Sequence, residues 1–276
     1  MPPTDAEQLA RRLRAAGCVF AEEEAALLLD EALVRDGAPA HGARAHDGAW
    51  LQEAVARRVA GAPLEQVVGW AAFAGLRLVV APGAFVPRRR TELLARLAAE
   101  RAAGVTGRPP VVLDLCCGVG AVAAVVERDV PGAETWAADL DPGAASAARA
   151  NLRHPERVVV GDLWAALPEA LRGRLDVVAA NAPYVPTAAI ATMPPEAREH
   201  ERRAALDGGA DGHAVQARVA LGAPAWLRPG GALLVETGEA QAEGTLRLLV
   251  AAGLTCRVER DDALDATVVV GVLRAS

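Results

Sequence analysis

The segment of this 276-residue chain best equipped for chemistry is Asn181-Ala182-Pro183-Tyr184. It follows the apolar run Leu175-Asp176-Val177-Val178-Ala179-Ala180, which reads as a short buried strand whose carboxyl end opens into a turn. Open α/β sheets bind ligands at that edge. A planar amide or aryl amine is a poor nucleophile because its lone pair is delocalised. If the Asn181 side-chain oxygen and the Ala182 carbonyl each accept one N–H, the nitrogen is held with its lone pair aimed at an electrophile. Displacement then depends mainly on orientation. Tyr184, the only tyrosine of the chain, stacks on the planar group. No base is needed before attack, because the nitrogen becomes acidic as its new bond forms.

A second constellation lies upstream. Val111-Val112-Leu113-Asp114-Leu115-Cys116-Cys117-Gly118-Val119-Gly120 reads as a strand, a turn and a helix start. Gly118 and Gly120 let backbone approach a ligand. Cys116 stands where a dinucleotide fingerprint has its first glycine, and Val122 and Ala123 occupy the last stretch of that fingerprint. Taken alone, the turn fits either a nucleotide-like ligand or close packing. Trp136-Ala137-Ala138-Asp139 ends the next strand with a carboxylate able to accept both hydroxyls of a ribose, or to cap the strand. Asp141-Pro142 then opens a helix, with Asp141 as its N-cap. In Val159-Val160-Gly161-Asp162-Leu163-Trp164 a third strand ends in an acid that can accept from an adenine amino group, with Leu163 or Trp164 against the ring. Three acidic strand ends, Asp114, Asp139 and Asp162, together point to S-adenosylmethionine.

The elements that position these residues follow from periodicity. Residues 4–60 read as three helices. Thr4-Asp5-Ala6-Glu7 starts the first, with Leu9, Leu13 and Ala16 on one face and Gly17 as its stop. The second runs from Ala21 to Val34 with Ala25, Leu28, Leu29 and Ala32 inward, and the third carries Leu51, Val55 and Val59. Leu76 to Val86 reads as a β-hairpin turning at Pro82-Gly83, and a helix follows from Glu92 to Ala103. From residue 109 onward strands and helices alternate, with strands predicted at 110–115, 134–139, 156–160, 175–180, 231–236, 254–259 and 267–273. Helices fall at 120–128, 142–152, 212–227 and 239–252. Only Asp261 to Ala266 separates the last two strands, too short for a parallel crossover, so they pair antiparallel. The fold class expected is α/β: a seven-stranded, mostly parallel sheet with a small helical domain at 1–69, a hairpin linker at 70–92 and the main domain at 93–276.

Composition narrows the function classes. Hydrophobic residues make up 52%, enough for a sizeable core. All 29 basic residues are arginine, yet the net charge is −6 and the pI about 5.5, against a broad duplex-DNA footprint. Cys18, Cys116, Cys117 and Cys256 show no metal-ligand spacing and no disulfide framework, so neither is expected and the thiols read as reduced. No signal sequence and no membrane-length apolar run is read, and a cytoplasmic protein is expected. Arg88-Arg89-Arg90 fits a phosphate or acidic contact as well as a solvated turn. Arg198, Arg202 and Arg203 with Glu199 and Glu201 read as surface ion pairs, and His154, His200 and His213 as surface positions.

Across nearly its whole length the chain resembles the HemK/PrmC-type protein-(glutamine N5) methyltransferases. The likeness rests on Pro63 to Gly69, Phe73, Gly75-Leu76, Phe85-Val86-Pro87-Arg88 to Thr91-Glu92, Glu201 with Ala205 to Gly212, Leu227 to Gly231, and Glu236. It also rests on Asp114 with Gly118 and Gly120, an Asp-x-x-x-Gly-x-Gly pattern, and on Asn-Ala-Pro-Tyr, where that family usually has Asn-Pro-Pro-Tyr. The resemblance implies a seven-stranded Rossmann-like methyltransferase sheet and S-adenosyl-L-methionine as cofactor. It implies a cofactor site of Asp114, Cys116, Gly118, Gly120, Asp139, Leu140, Asp162, Leu163, Trp164, Phe85, Pro87, Thr91 and Asn181. It implies Asn181, Ala182, Pro183 and Tyr184 as the catalytic clamp, no metal, and a protein substrate whose acceptor is the Gly-Gly-Gln glutamine of class 1 peptide-release factors. The small helical domain helps bind that protein, and a monomer is expected. Ala182 leaves the loop without the fixed φ of proline. The alternative reading is an amino-methyltransferase acting on a nucleobase of RNA or DNA; a third is a non-catalytic S-adenosylmethionine-binding adaptor.

Overall fold

The structure, a computed structural model, describes residues 5–35 and 48–274. Thr4, half of the expected first cap, lies outside the described residues. Four helices come first: α1 (Asp5–Ala15), α2 (Ala21–Arg35), α3 (Ala49–Val59) and α4 (Leu64–Val68). Leu13, Ala25, Leu28, Val55 and Val67 bury one stripe each into a core of their own, and Gly17 takes the left-handed φ of +93° that ends α1. Val59, expected inward, is exposed, and Arg58 takes the buried place beside it.

Strands β1 (Trp70–Phe73) and β2 (Leu76–Val79) form a two-stranded antiparallel hairpin. Its turn is Ala74-Gly75, one loop earlier than expected. Both residues sit at positive φ, 47° and 79°, the twist a two-residue hairpin turn requires. Residues 81–86 are a loop instead of a second strand, since Pro82 has no N–H to give a ladder. Phe73 and Leu78 pack into the core beneath the sheet, with Leu94 and Ala98 of the next helix.

The remainder alternates as the periodicity predicts, save for one short unpredicted helix, α8: α5 (Thr91–Ala103), β3 (Val111–Leu115), α6 (Ala121–Asp129), β4 (Glu134–Asp139), α7 (Pro142–Asn151), β5 (Val158–Val160), β6 (Leu175–Ala180), α8 (Pro195–His200), α9 (Ala214–Trp226), β7 (Leu227–Thr237), α10 (Ala242–Ala251), β8 (Leu254–Asp261) and β9 (Ala266–Leu273). The seven strands lie in the order β5-β4-β3-β6-β7-β9-β8. Pairing is parallel from β5 to β7, and β9 runs antiparallel to both β7 and β8. Every residue of β3 and β6 is buried, as expected of central parallel strands covered on both faces. Two apolar clusters fill those faces, one under α5 and α6 and one under α9 and α10. No described helix is long and apolar enough to cross a membrane.

The chain order reverses at β3, which lies between β4 on one side and β6 on the other. Two loops therefore diverge at its carboxyl end and leave a crevice. That is where a ligand site belongs in an open α/β sheet.

Candidate active site

A cavity of about 450 Å³ opens at this switch point, within the size range of small-molecule sites. Its floor is the carboxyl ends of β3, β4 and β6, and the loop from Gly83 to Thr91 forms one wall. Phe85, Pro87, Thr91, Asp114, Cys116, Gly118, Asp139, Leu140, Asp162, Leu163, Asn181, Ala182, Pro183 and Tyr184 all line it. Fourteen residues chosen from five separate stretches of sequence thus meet at one cavity.

Two expected residues do not reach the wall. Gly120 caps α6 at φ +78°, and a Cβ there would come within 3.2 Å of the Ala148 Cβ. Its role is close helix packing, one of the two readings its turn allowed. Trp164 turns away from the cavity: its Nε1 donates to the Arg218 carbonyl at 3.2 Å and its ring stacks on Trp226 with centroids 6.0 Å apart. Gly222 makes room for it, since a Cβ at that glycine would fall 2.2 Å from the indole nitrogen. Of Leu163 and Trp164, Leu163 is left to meet a flat ring.

The cofactor half is built from backbone and acid. Gly118 sits at φ +54°, where a Cβ would point into open space, and its N–H donates to Asp139 Oδ2 at 2.8 Å. Asp139 Oδ1 accepts from the Asp141 N–H at 2.8 Å, so the carboxylate is fixed in place with a lone pair to spare on each oxygen. Burial raises its carboxyl above the ordinary range, and those N–H donors oppose the rise. Asp114 lies deeper, 2% exposed, accepting from the Ala123 N–H at 3.0 Å. Burial pushes it up to about 7, with the neighbouring Asp139 charge adding to the effect. Asp162 stands at the rim, held by Arg218 at 2.6 Å. Asp141 caps α7 through the Gly143 N–H at 2.9 Å, and Arg202 pairs with it at 3.0 Å. Cys116 adopts φ +60°, a left-handed conformation that suits glycine; burial raises its thiol, so it stays protonated. A glycine cradle, a pinned carboxylate and an apolar seat at Leu163 suit a nucleoside bearing a short charged tail.

The acceptor half is Asn181 to Tyr184. Asn181 Nδ2 donates to Thr91 Oγ1 at 3.2 Å, which leaves the amide oxygen to face a ligand. Ala182 is wholly buried in the core cluster behind β6, so packing, in place of a proline ring, fixes the loop there. The Tyr184 carbonyl accepts from Gln241 Nε2 at 2.9 Å, and its hydroxyl lies 3.4 Å from Glu236 Oε1. Burial, then the Glu236 charge, pushes Tyr184 up to about 12, so it is a neutral hydroxyl. Glu236, at the end of β7, is 1% exposed and burial pushes it up to about 7, with the Thr91 hydroxyl and the Arg90 guanidinium pulling the other way.

The segment after the clamp braces it. Val185 N–H donates to the Leu206 carbonyl at 3.0 Å, and Gly208 N–H returns to the Val185 carbonyl at 2.9 Å. Glu201 is not a surface partner. It is buried, taking Arg88 at 2.6 Å and the Val86 N–H at 3.2 Å, and thereby ties this segment to the wall loop. Arg198 pairs with Glu199 at the surface, as read from the sequence, whereas Arg203 takes Asp207 and Arg202 takes Asp141. His154 is exposed, whereas His200 and His213 are half-buried. Sequence reasoning missed Glu236 as a site residue, although it obeys the rule that found the others: an acid closing an apolar strand at the carboxyl edge. Gln241 carried no such signal, and Arg90 was read only within an arginine run that fits an acidic contact as well as a solvated turn.

The methyltransferase domain family matches residues 112–202, the span from β3 to just past α8. The chain is 38% identical over 202 residues to the release factor glutamine methyltransferase of Geobacter sulfurreducens, covering 72% of this chain and 69% of that one. It is 36% identical over 264 residues to the release factor glutamine methyltransferase of Deinococcus radiodurans, covering 92% of each. It is also 39% identical over 203 residues to the 4-amino-L-phenylalanine/4-methylamino-L-phenylalanine methyltransferase of Streptomyces pristinaespiralis, covering 72% of this chain and 69% of that one.

Proposed function

Because the chain belongs to the release factor glutamine methyltransferase family, we propose that it methylates the side-chain amide nitrogen of a protein glutamine, that of the Gly-Gly-Gln motif of class 1 peptide-release factors. It is an S-adenosylmethionine-dependent enzyme. One observation carries the reading of the site: Asn181 is held by Thr91 with its amide oxygen as the free end, next to Tyr184. A donor facing the cavity would repel a substrate N–H, whereas an acceptor orients it.

The chain's residues divide the work. Asp139, fixed by the Gly118 and Asp141 N–H groups, accepts from ribose hydroxyls, and Leu163 and Leu140 meet the base. Asp162 accepts from the exocyclic amine, its carboxylate held outward by Arg218. Asp114 stays below the glycine turn and holds the start of α6 through Ala123. S-adenosylmethionine supplies an activated methyl group on a sulfonium. Asn181 Oδ1 and the Ala182 carbonyl accept the two amide protons, which stops rotation about the substrate C–N bond and directs the nitrogen lone pair. Tyr184 excludes water from the amide face. With the cofactor bound, the nitrogen so oriented would take the methyl while the sulfur kept the electron pair, and the acidified amide nitrogen would give its proton to solvent. Orientation of this kind is worth several kcal/mol.

The helical segment at 1–69 is proposed as the substrate-protein surface, the cytoplasm as the location, and a monomer as the working unit. A second acceptor class has support of its own: the Streptomyces relative is named for an aryl amine, which shares the planar, delocalised nitrogen of an amide. The nucleobase alternative is not favoured.

The test is transfer of label from S-adenosylmethionine to a class 1 release factor, beside a copy whose Gly-Gly-Gln glutamine is changed and beside 4-amino-L-phenylalanine. Label that needs that glutamine, and that falls about 10²-fold or more in Asn181→Ala, is the expected result. Label on the aryl amine alone moves the acceptor to the second class.

A further inference from the structure

Asn181 and Tyr184 lie on one loop, but their polar ends lead to the same buried acid. From Asn181 the link runs Nδ2 to Thr91 Oγ1 at 3.2 Å. A hydroxyl that accepts from an amide has one hydrogen of its own left to give. Thr91 is 4% exposed, at the start of α5, and its hydroxyl is near enough to the Glu236 carboxyl to favour the ionised form, although the structure joins the two by no hydrogen bond. Glu236 Oε2 is buried without a hydrogen-bond partner, an acceptor still open. From Tyr184 the hydroxyl reaches Glu236 Oε1 at 3.4 Å, with the Arg90 guanidinium beside both.

We propose that Glu236 is a positioning residue that sets both sides of the acceptor clamp, fixing the Asn181 amide oxygen-inward through Thr91 and holding the Tyr184 ring through its hydroxyl. The logic is one of forced roles. An ionised carboxylate only accepts, so a hydroxyl that engages it must donate: Tyr184 gives its hydrogen to Oε1, and Thr91 turns its own to the open Oε2. Thr91 has then spent its hydrogen and can only accept from Asn181. The NH₂ end of Asn181 must point to Thr91, and the oxygen must face the substrate. A protonated Glu236 carries a donor of its own, so Thr91 can turn its hydrogen to Asn181. The amide is then free to flip, and presents N–H groups to the substrate amide. The charged and titratable groups facing Glu236 among the described residues are Arg90 and Tyr184, and Tyr184, pushed up to about 12, stays neutral through pH 6 to 8.

The proposal rests on the methyl-acceptor reading of the loop, so its test includes a measurement that needs no acceptor. The first arm is turnover of full-length Thr91→Val, Thr91→Ser and Glu236→Gln enzymes. Expected are a drop in kcat of about 10- to 100-fold for the Val and Gln variants, melting temperatures near wild type, S-adenosylmethionine affinity near wild type in Glu236→Gln, and recovery by Ser. Wild-type kcat should fall on acidification through pH 7, and that limb should be absent in Glu236→Gln. The second arm is NMR of the Asn181 side-chain NH₂: slow solvent exchange and a shift that titrates near pH 7 in wild type, both lost in Thr91→Val and Glu236→Gln. Unchanged exchange together with wild-type kcat in Thr91→Val overturns the proposal. A wild-type enzyme that labels no glutamine, yet whose Asn181 amide responds to Glu236 as stated, overturns the acceptor and leaves the positioning role standing.

Discussion

Asp114 shows how a single buried acid carries a pH signature. It closes β3 almost without solvent, accepts one N–H from Ala123, and is pushed up to about 7 by burial. An unfolded aspartate titrates at about 4. Between these values the folded protein keeps a proton that the unfolded chain has released, so stability is full below about 4 and declines as pH rises toward 7. Each unit of such a shift corresponds to about 1.4 kcal/mol. Asp114→Asn keeps an acceptor for Ala123 and removes the charge. Urea unfolding should therefore show the variant gaining on wild type between pH 5 and pH 8, with the gap closing near pH 4. A gap that widens on acidification would exclude this account. Glu236 is raised in the same direction, so the difference between the two proteins, and not the slope of either alone, isolates Asp114.

At the scale of elements, what holds the clamp is the loop behind it. Gly212 sits at φ +83°, and a Cβ there would fall 2.3 Å from the Tyr184 carbonyl oxygen and 2.2 Å from Gln241 Nε2. A glutamine side chain can move, but the Tyr184 backbone, tied to Leu206 and Gly208 through Val185, cannot without shifting the site. Gly212→Ala should lower kcat by about 10²-fold, as expected for a displacement near 1 Å. S-adenosylmethionine binding should survive, since Gly118 and Asp139 are untouched; titration calorimetry beside turnover separates the two. Loss of both in parallel would mean the loop supports the whole cavity. Most strands and helices of the sheet were legible because their periods are unambiguous: β3 and β6 are short apolar runs bounded by turns. The hairpin was misplaced because Pro82-Gly83 and Ala74-Gly75 are both plausible turns by composition. Only the latter gives two successive positive φ values at a point where both flanking strands can pair. Glu236 and Trp164 fail for a related reason. Their neighbours in sequence do not reveal whether a strand-end side chain faces the cavity, the next loop or the opposite layer.

Across the whole molecule, the N-terminal helices and the loop that braces the clamp meet through buried polar groups. Arg58 on α3 is 7% exposed and forks onto Glu24 of α2, Nε to Oε2 at 2.6 Å and NH2 to Oε1 at 2.9 Å. Its NH1 donates to the Ala62 carbonyl at 3.1 Å and to Glu196 of α8 at 2.5 Å. Gln66 adds a bond from Nε2 to the His200 carbonyl at 3.2 Å. Helical spacing alone points to Val59 as the inward residue of α3. Arg58 wins because its partners, Glu24 and Glu196, lie 34 and 138 residues away, a pairing no local pattern can reveal. Such a pair need not add net stability over apolar side chains of the same size, but breaking one half strands a buried charge. Arg58→Met leaves Glu24 at 8% exposure without its counter-ion and should cost about 3–5 kcal/mol in urea unfolding. The double variant Glu24→Met, Arg58→Met should regain most of that loss. If the single variant stays within about 1 kcal/mol of wild type, water reaches Glu24 and the helices are not locked to the loop. If the double variant regains stability while turnover stays low, then the contact to Glu196 matters for holding the bracing loop in register with the clamp, and the fold's two halves act on the acceptor together.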